Sequence, residues 1–275
     1  MGREKVGYLL TSTNLLWMWQ SAQPVLDEFL PFLDISEDGF QLKPAASLLI
    51  RQNEIADSNS SILISVSEII AMYVGVATVV SLYYLFWLCT EGRAKFWQNV
   101  AFILLASLAS AGYGLHAVCV IAQLHISRDN PLYTLLNFMH ERWSHNMFQF
   151  GMFGLFLLVV WSEKPRRMKT VTKRFHSVSS ALSWFPCNCS AVLYSMGGIA
   201  IGLFMSIFSN HTDTWYIALT FYISIYASIY LFMKLLKYGE RELFLLFCEY
   251  HMLGFYVTVA TSGLPALFIH AWFFK

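Results

Sequence analysis

Residues 62–89 read ILISVSEIIAMYVGVATVVSLYYLFWLC, an apolar run in which Glu68 is the only charge. About 20 apolar residues in helical form cross a hydrocarbon core of about 30 Å, at 1.5 Å per residue. The run is long enough to span a bilayer. Working outward, comparable stretches lie at 98–125, 132–161, 190–208, 214–233 and 243–264. Residues 6–26 form a weaker one, with Asn14, Gln20, Gln23 and Pro24 inside it but no charge between Lys5 and Asp27. The composition agrees: 57% of the chain is hydrophobic and 13% charged, against roughly 25% charged in a soluble domain. The expectation is an all-α polytopic membrane bundle of about seven transmembrane helices, one transmembrane domain over 1–275.

Orientation follows from the basic residues, because Lys and Arg in short loops stay on the cytoplasmic side. Arg3 and Lys5 precede the first stretch, and Arg93 and Lys95 follow the second. The richest cluster lies in 162–175, with Lys164, Arg166, Arg167, Lys169, Lys173 and Arg174; Lys234, Lys237 and Arg241 follow the sixth stretch. The alternate loops are acidic or bare. Residues 27–61 hold Asp27, Glu28, Asp34, Glu37, Asp38, Glu54 and Asp57 against Lys43 and Arg51, and 209–213 holds no Lys or Arg. This predicts a cytosolic N-terminus, a luminal 27–61 loop, a basic cytosolic 162–175 loop and a luminal C-terminus. The sequons at Asn59 (Asn59-Ser60-Ser61) and Asn210 (Asn210-His211-Thr212) fall in loops on the luminal side, as N-glycosylation requires.

Several classes drop out. Pro24-Val25-Leu26-Asp27 is a poor signal-peptidase site, and Met1-Gly2 lacks the downstream Ser or Thr of a myristoylation signal. Cys89, Cys119, Cys187, Cys189 and Cys248 lie in or beside the stretches and give no disulfide framework. A net charge of +1 with no exposed basic domain argues against nucleic acid. There is no Gly-rich phosphate loop and no GxSxG. Most tryptophans, among them Trp87, Trp97, Trp161, Trp215 and Trp272, fall near span ends as an aromatic belt does.

Ionisable groups at membrane depth are costly, so each is a functional-site candidate. The third stretch carries His116; the fourth carries Asn137, His140, Glu141, Arg142, His145 and Gln149. Glu68 in the second stretch, His140 in the fourth, and Glu249 and His251 in the seventh are candidate binding groups. Glu141 and His145 are four apart and share a helical face. His116 lies about 15 Å below the outer end of its span, level with Glu141 across a short turn. His116, Glu141 and His145 are thus expected to converge. His140 and His145 are five apart, about 140° around an α-helix, so His140 is expected to face elsewhere.

Such a cluster can be hydrogen-bonded glue between spans, an acid–base or lipid-headgroup site, or a metal or haem site. The run His140-Glu141-Arg142-Trp143-Ser144-His145 is not HExxH, since the second His comes one residue late, and no desaturase histidine boxes occur. No metal and no cofactor is assigned on this basis.

The order Gly114-Leu115-His116, His125-Ile126-Ser127, Arg128-Asp129-Asn130-Pro131, then Glu141 and Ser144-His145-Asn146-Met147 resembles the neuronal ceroid lipofuscinosis type 6 family of endoplasmic reticulum membrane proteins. The resemblance is strongest over 112–150; Val120 stands where the family has an acid. It implies a non-enzymatic role in the endoplasmic reticulum membrane, supporting export of lysosomal enzyme precursors together with another membrane protein. The alternative is an intramembrane lipid-modifying enzyme of sterol isomerase or amide hydrolase type, using His116, Glu141 and His145.

Overall fold

Within a bilayer there is no water to satisfy backbone N–H and C=O groups, so an apolar run must close its hydrogen bonds on itself. The computed structural model describes residues 32–36, 39–43, 62–163, 189–211, 214–236 and 250–273. In chain order these form β1 (Phe32–Ser36), β2 (Gly39–Lys43), β3 (Ile62–Ser65), α1 (Val66–Cys89), α2 (Phe96–Leu124), α3 (Pro131–Phe138), a π-helical turn (Met139–Ser144), α4 (His145–Ser162), α5 (Cys189–His211), α6 (Trp215–Leu236) and α7 (His251–Phe273). Among the described residues, five helices are long and apolar enough to cross a membrane: Met72–Cys89, Phe96–Gln123, Pro131–Ser162, Trp215–Leu235 and Met252–Trp272. A sixth apolar segment, Gly197–Ile207, lies within α5. The 6–26 stretch lies outside the described residues. Large apolar side chains such as Tyr73, Val76, Leu104, Val118, Phe150 and Ile223 point outward, which suits lipid and not water. Trp87, Trp97, Trp161, Trp215 and Trp272 are exposed as well, near helix ends.

Three features depart from the sequence expectation. The 27–61 segment, expected as a loop, contributes β1 and β2, and residues 62–65 form β3 where a helix was expected; the all-α expectation therefore holds for the membrane helices but not for this segment. The strand order is β2-β1-β3, both pairs antiparallel, with Ser36 opposite Gly39 and Phe32 opposite Ser65. Asp38-Gly39, where β2 opens, is a hairpin signal in the sequence. The last helix continues through Pro265 to Phe273, past the expected end at 264. Proline is tolerated in membrane helices when neighbouring side chains engage the carbonyls around it. Ser206 Oγ donates to the Gly263 carbonyl at 2.6 Å, and Asn210 Nδ2 to that of Leu267 at 2.9 Å.

The described residues divide into two compact units, one of 81–103 and 153–273, the other of 32–80 and 104–152. In the first, α5 and α7 pack most intimately. Small residues spaced four apart let helix backbones approach closely, and Gly198 and Gly202 serve that purpose: a Cβ on Gly202 would collide with Ser262 Oγ and the Val259 carbonyl. Phe153, Phe156, Phe221 and Tyr256 form its aromatic centre, with Phe153 and Phe221 stacked at 4.8 Å. Glu163 is buried there, and its Oε2 accepts the backbone N–H of Met252 at 2.9 Å. A carboxylate at this position caps the start of α7 and meets the positive end of its dipole.

Candidate functional site

The site lies in the second unit and starts from a helix cap. Asn130 Oδ1 accepts the N–H of Leu132 at 2.9 Å and Pro131 takes the first helical position, so α3 begins at a fixed phase. Gln123 Nε2 donates to Asn137 Oδ1 at 3.2 Å and ties α2 to α3. One turn further, the helix widens into the π turn Met139–Ser144 before resuming as α4. Such single-turn π segments interrupt α-helices frequently at functional sites.

The widening changes which side chains share a face. In a turn closed by i→i+5 bonds, residues five apart come roughly into line. His140 therefore joins His145 on the side facing α2, where His116 projects between them. Ring centroids are 4.5 Å apart for His116 and His140, 5.1 Å for His116 and His145, and 5.3 Å for His140 and His145. Each ring offers one nitrogen, and these three atoms lie within 4.8 Å of one another. All three residues are half-buried.

The expectation for His116 and His145 is met, and that for His140 is corrected: it faces the cluster and not away from it. Glu141 sits on the rim, 49% exposed, with Oε1 3.3 Å from His140 Nδ1. The 3.6-residue period assigned Glu141 the place that His140 holds. Ser144, fully buried, donates its hydroxyl to the His140 carbonyl, and so fastens the π turn to itself.

Close approach of α2 to α4 brings His116 into range. A Cβ on Gly112 would lie 2.8 Å from the Ser144 carbonyl and closer still to Phe148 N, and one on Gly151 would lie 2.6 Å from Ala109 N. Gly151 and Gly112 are thus both close-packing positions; a glycine one turn before an intramembrane His is the signal the sequence offers for Gly112.

Beside the cluster lies a cleft of about 200 Å³, lined among others by Met72, Val76, Ala109, Tyr113, Phe148 and Met152. Met72 and Val76 are exposed at its rim. Tyr113 joins cleft to cluster: its ring stacks on His116 with centroids 6.0 Å apart and leans on Phe148 at 6.1 Å. Tyr113 thus stands between the apolar groove and His116.

The remaining candidates lie elsewhere. Glu68 falls in the first turn of α1 and His251 opens α7; their side chains, like Asn59 and Glu249, lie outside the described residues. Asn210 is 3% exposed, and its Nδ2, the atom a glycan would need, bonds Leu267. Chemically, three convergent imidazoles can pass protons, bind an anionic headgroup when protonated, or ligate one cation. No protein-family model, no curated protein and no solved structure matches this chain.

Proposed function

We propose that this chain is a seven-span membrane protein that acts on a lipid, with the acyl chain held in the apolar cleft and the polar linkage presented to His116, His140 and His145. The seven spans comprise the five long helices, α5 and the 6–26 stretch. The observation that carries this reading is the junction at Tyr113, whose ring lines the cleft and also stacks on His116. Small-molecule sites are typically apolar concavities with a few convergent polar groups. An amphiphile is the ligand that needs both halves at membrane depth. Hydrolysis of an acyl linkage, the amide hydrolase form of the alternative above, suits such a site better than isomerisation: its polar groups are clustered at one end.

The trafficking role implied by the family resemblance is the second reading. It is supported by the paired strands in the acidic 27–61 segment, which offer an ordered element for contact with lysosomal enzyme precursors in the endoplasmic reticulum lumen. One experiment separates the two. Cells lacking the protein are complemented with wild type, His116→Gln or His145→Gln, matched for abundance, and both microsomal lipids and secreted lysosomal enzymes are measured. The lipid reading expects one acyl-lipid class to accumulate and to be cleared by wild type alone. Full correction of the lipid profile by both variants would overturn it.

A further inference from the structure

We infer that His116, His140 and His145 form a binding site for a single divalent transition metal ion, with Zn²⁺ the best fit, each ring giving one nitrogen. The inference uses the residues of the proposed lipid site but does not depend on a lipid being the substrate.

Distances decide between the possible occupants. With Zn–N bonds of 2.0–2.1 Å, the centre of each imidazole lies roughly 3.2 Å from the ion, and tetrahedral angles put ring centres about 5 Å apart. The observed separations are 4.5, 5.1 and 5.3 Å. A haem held between two imidazoles would instead need ring centres roughly 6 Å apart on opposite sides of a macrocycle. The third ring occupies the space the macrocycle requires, so haem is excluded. Ligand nitrogens of a tetrahedral site sit about 3.4 Å from one another. Those here lie within 4.8 Å, a gap that side-chain rotation closes without moving a helix.

The surroundings fit as well. Metal-bound histidines commonly give their other ring nitrogen to a carboxylate, which fixes the tautomer and raises ligand basicity. Glu141 Oε1 stands 3.3 Å from His140 Nδ1, which leaves Nε2 of His140 for the ion. An all-imidazole set favours zinc, copper or nickel over calcium or magnesium, which prefer oxygen. Three protein ligands leave a fourth position for water or a substrate atom, the arrangement of catalytic rather than structural zinc sites. Nothing in HExxH-type spacing signals this site; the π turn makes it.

The test uses the full-length protein, purified in detergent and stripped with chelator. Added Zn²⁺ should bind with a stoichiometry of about one and raise the unfolding temperature, because a ligand that binds only the folded state stabilises it. Co²⁺ should give the intense visible bands of a tetrahedral site. His116→Gln, His140→Gln and His145→Gln should each abolish stoichiometric binding, while Glu141→Gln should weaken it by about 10- to 100-fold, as loss of a carboxylate behind a ligand does. His125→Gln, an exposed residue beyond the site, should bind as wild type. Should a ligand variant fail to fold, the Co²⁺ spectrum of the wild type decides by itself. Absence of those bands, or Zn²⁺ binding unchanged in His116→Gln and His145→Gln, would overturn the site.

Discussion

Replacing Gly112 with alanine, with Gly114→Ala as its partner, tests the helix contact on which the histidine cluster depends. Both substitutions add one methyl group to the same helix two residues apart, and both gain helix propensity of up to about 1 kcal/mol. Their surroundings differ. At Gly114 a new Cβ meets nothing within 4 Å, whereas at Gly112 it lies 2.8 Å from the Ser144 carbonyl and 2.9 Å from Met147 Cβ, and nearer still to Phe148 N. Two of those atoms are backbone and cannot swing aside. Relief to an ordinary contact of about 3.5 Å requires α2 and α4 to part by most of an ångström. Overpacking of this kind costs about 1–3 kcal/mol. The propensity gain cancels in the difference between the two variants, so Gly112→Ala should unfold roughly 3–10 °C below Gly114→Ala, at a few degrees per kcal/mol. His116 lies one turn along from Gly112 and His145 follows Ser144, so the same separation should loosen metal binding in Gly112→Ala alone. Thermal unfolding of both proteins in one detergent, followed by tryptophan fluorescence, measures the gap. Equal unfolding temperatures would refute the close approach and, with it, the convergence of His116 on α4.

Three further outcomes follow from particular contacts. Asn210→Gln should leave any endoglycosidase-sensitive mobility shift unchanged, because Asn210 Nδ2 is buried against Leu267; loss of the shift would show that this asparagine carries the sugar. Glu163→Ala should destabilise by about 0.5–2 kcal/mol, as loss of a helix cap does, and Glu163→Gln by less, since an amide oxygen can still accept the Met252 N–H; equal unfolding temperatures for wild type and Glu163→Ala would refute the cap. Tags in 27–61 should be reached only after permeabilisation of internal membranes and tags in 162–175 after opening the plasma membrane alone; the reverse pattern would invert the orientation.

The helices were legible because one constraint dominates them. A chain in lipid has to satisfy its own backbone, and hydropathy over 20 residues reports that constraint almost directly. The five long helices begin and end close to where charge stops and resumes. Segments outside this constraint were less legible. The strand at Phe32–Ser36 carries Asp34 among apolar neighbours, and its neighbour opens with Gly39 after Asp38; acidic composition hid a hairpin signal that alternation and turn chemistry would have disclosed. Hydropathy ends the last span at 264, one residue before Pro265, because a local reading ignores partners on other helices. Ser206 and Asn210 lie about 60 residues earlier in the chain, and their bonds to the carbonyls of Gly263 and Leu267 depend on the fold, as does the cap that Glu163 places on α7.

The histidine cluster shows how a small departure from regular geometry reassigns chemistry. On an unbroken α-helix, Glu141 and His145 stack and His140 points about 140° away. That arrangement is a carboxylate–imidazole pair, suited to proton transfer. The π turn advances the phase by about one residue, and His140 takes the inner position while Glu141 moves to the rim. The inner set becomes three imidazoles instead of an acid and its base. What holds the turn in this form is spread over α2 and the turn itself: the bare backbone at Gly112 against Ser144, and the Ser144 hydroxyl on the His140 carbonyl. Neither glycine nor serine would be chosen from sequence as a functional residue. Both are needed before the residues that would be chosen can meet.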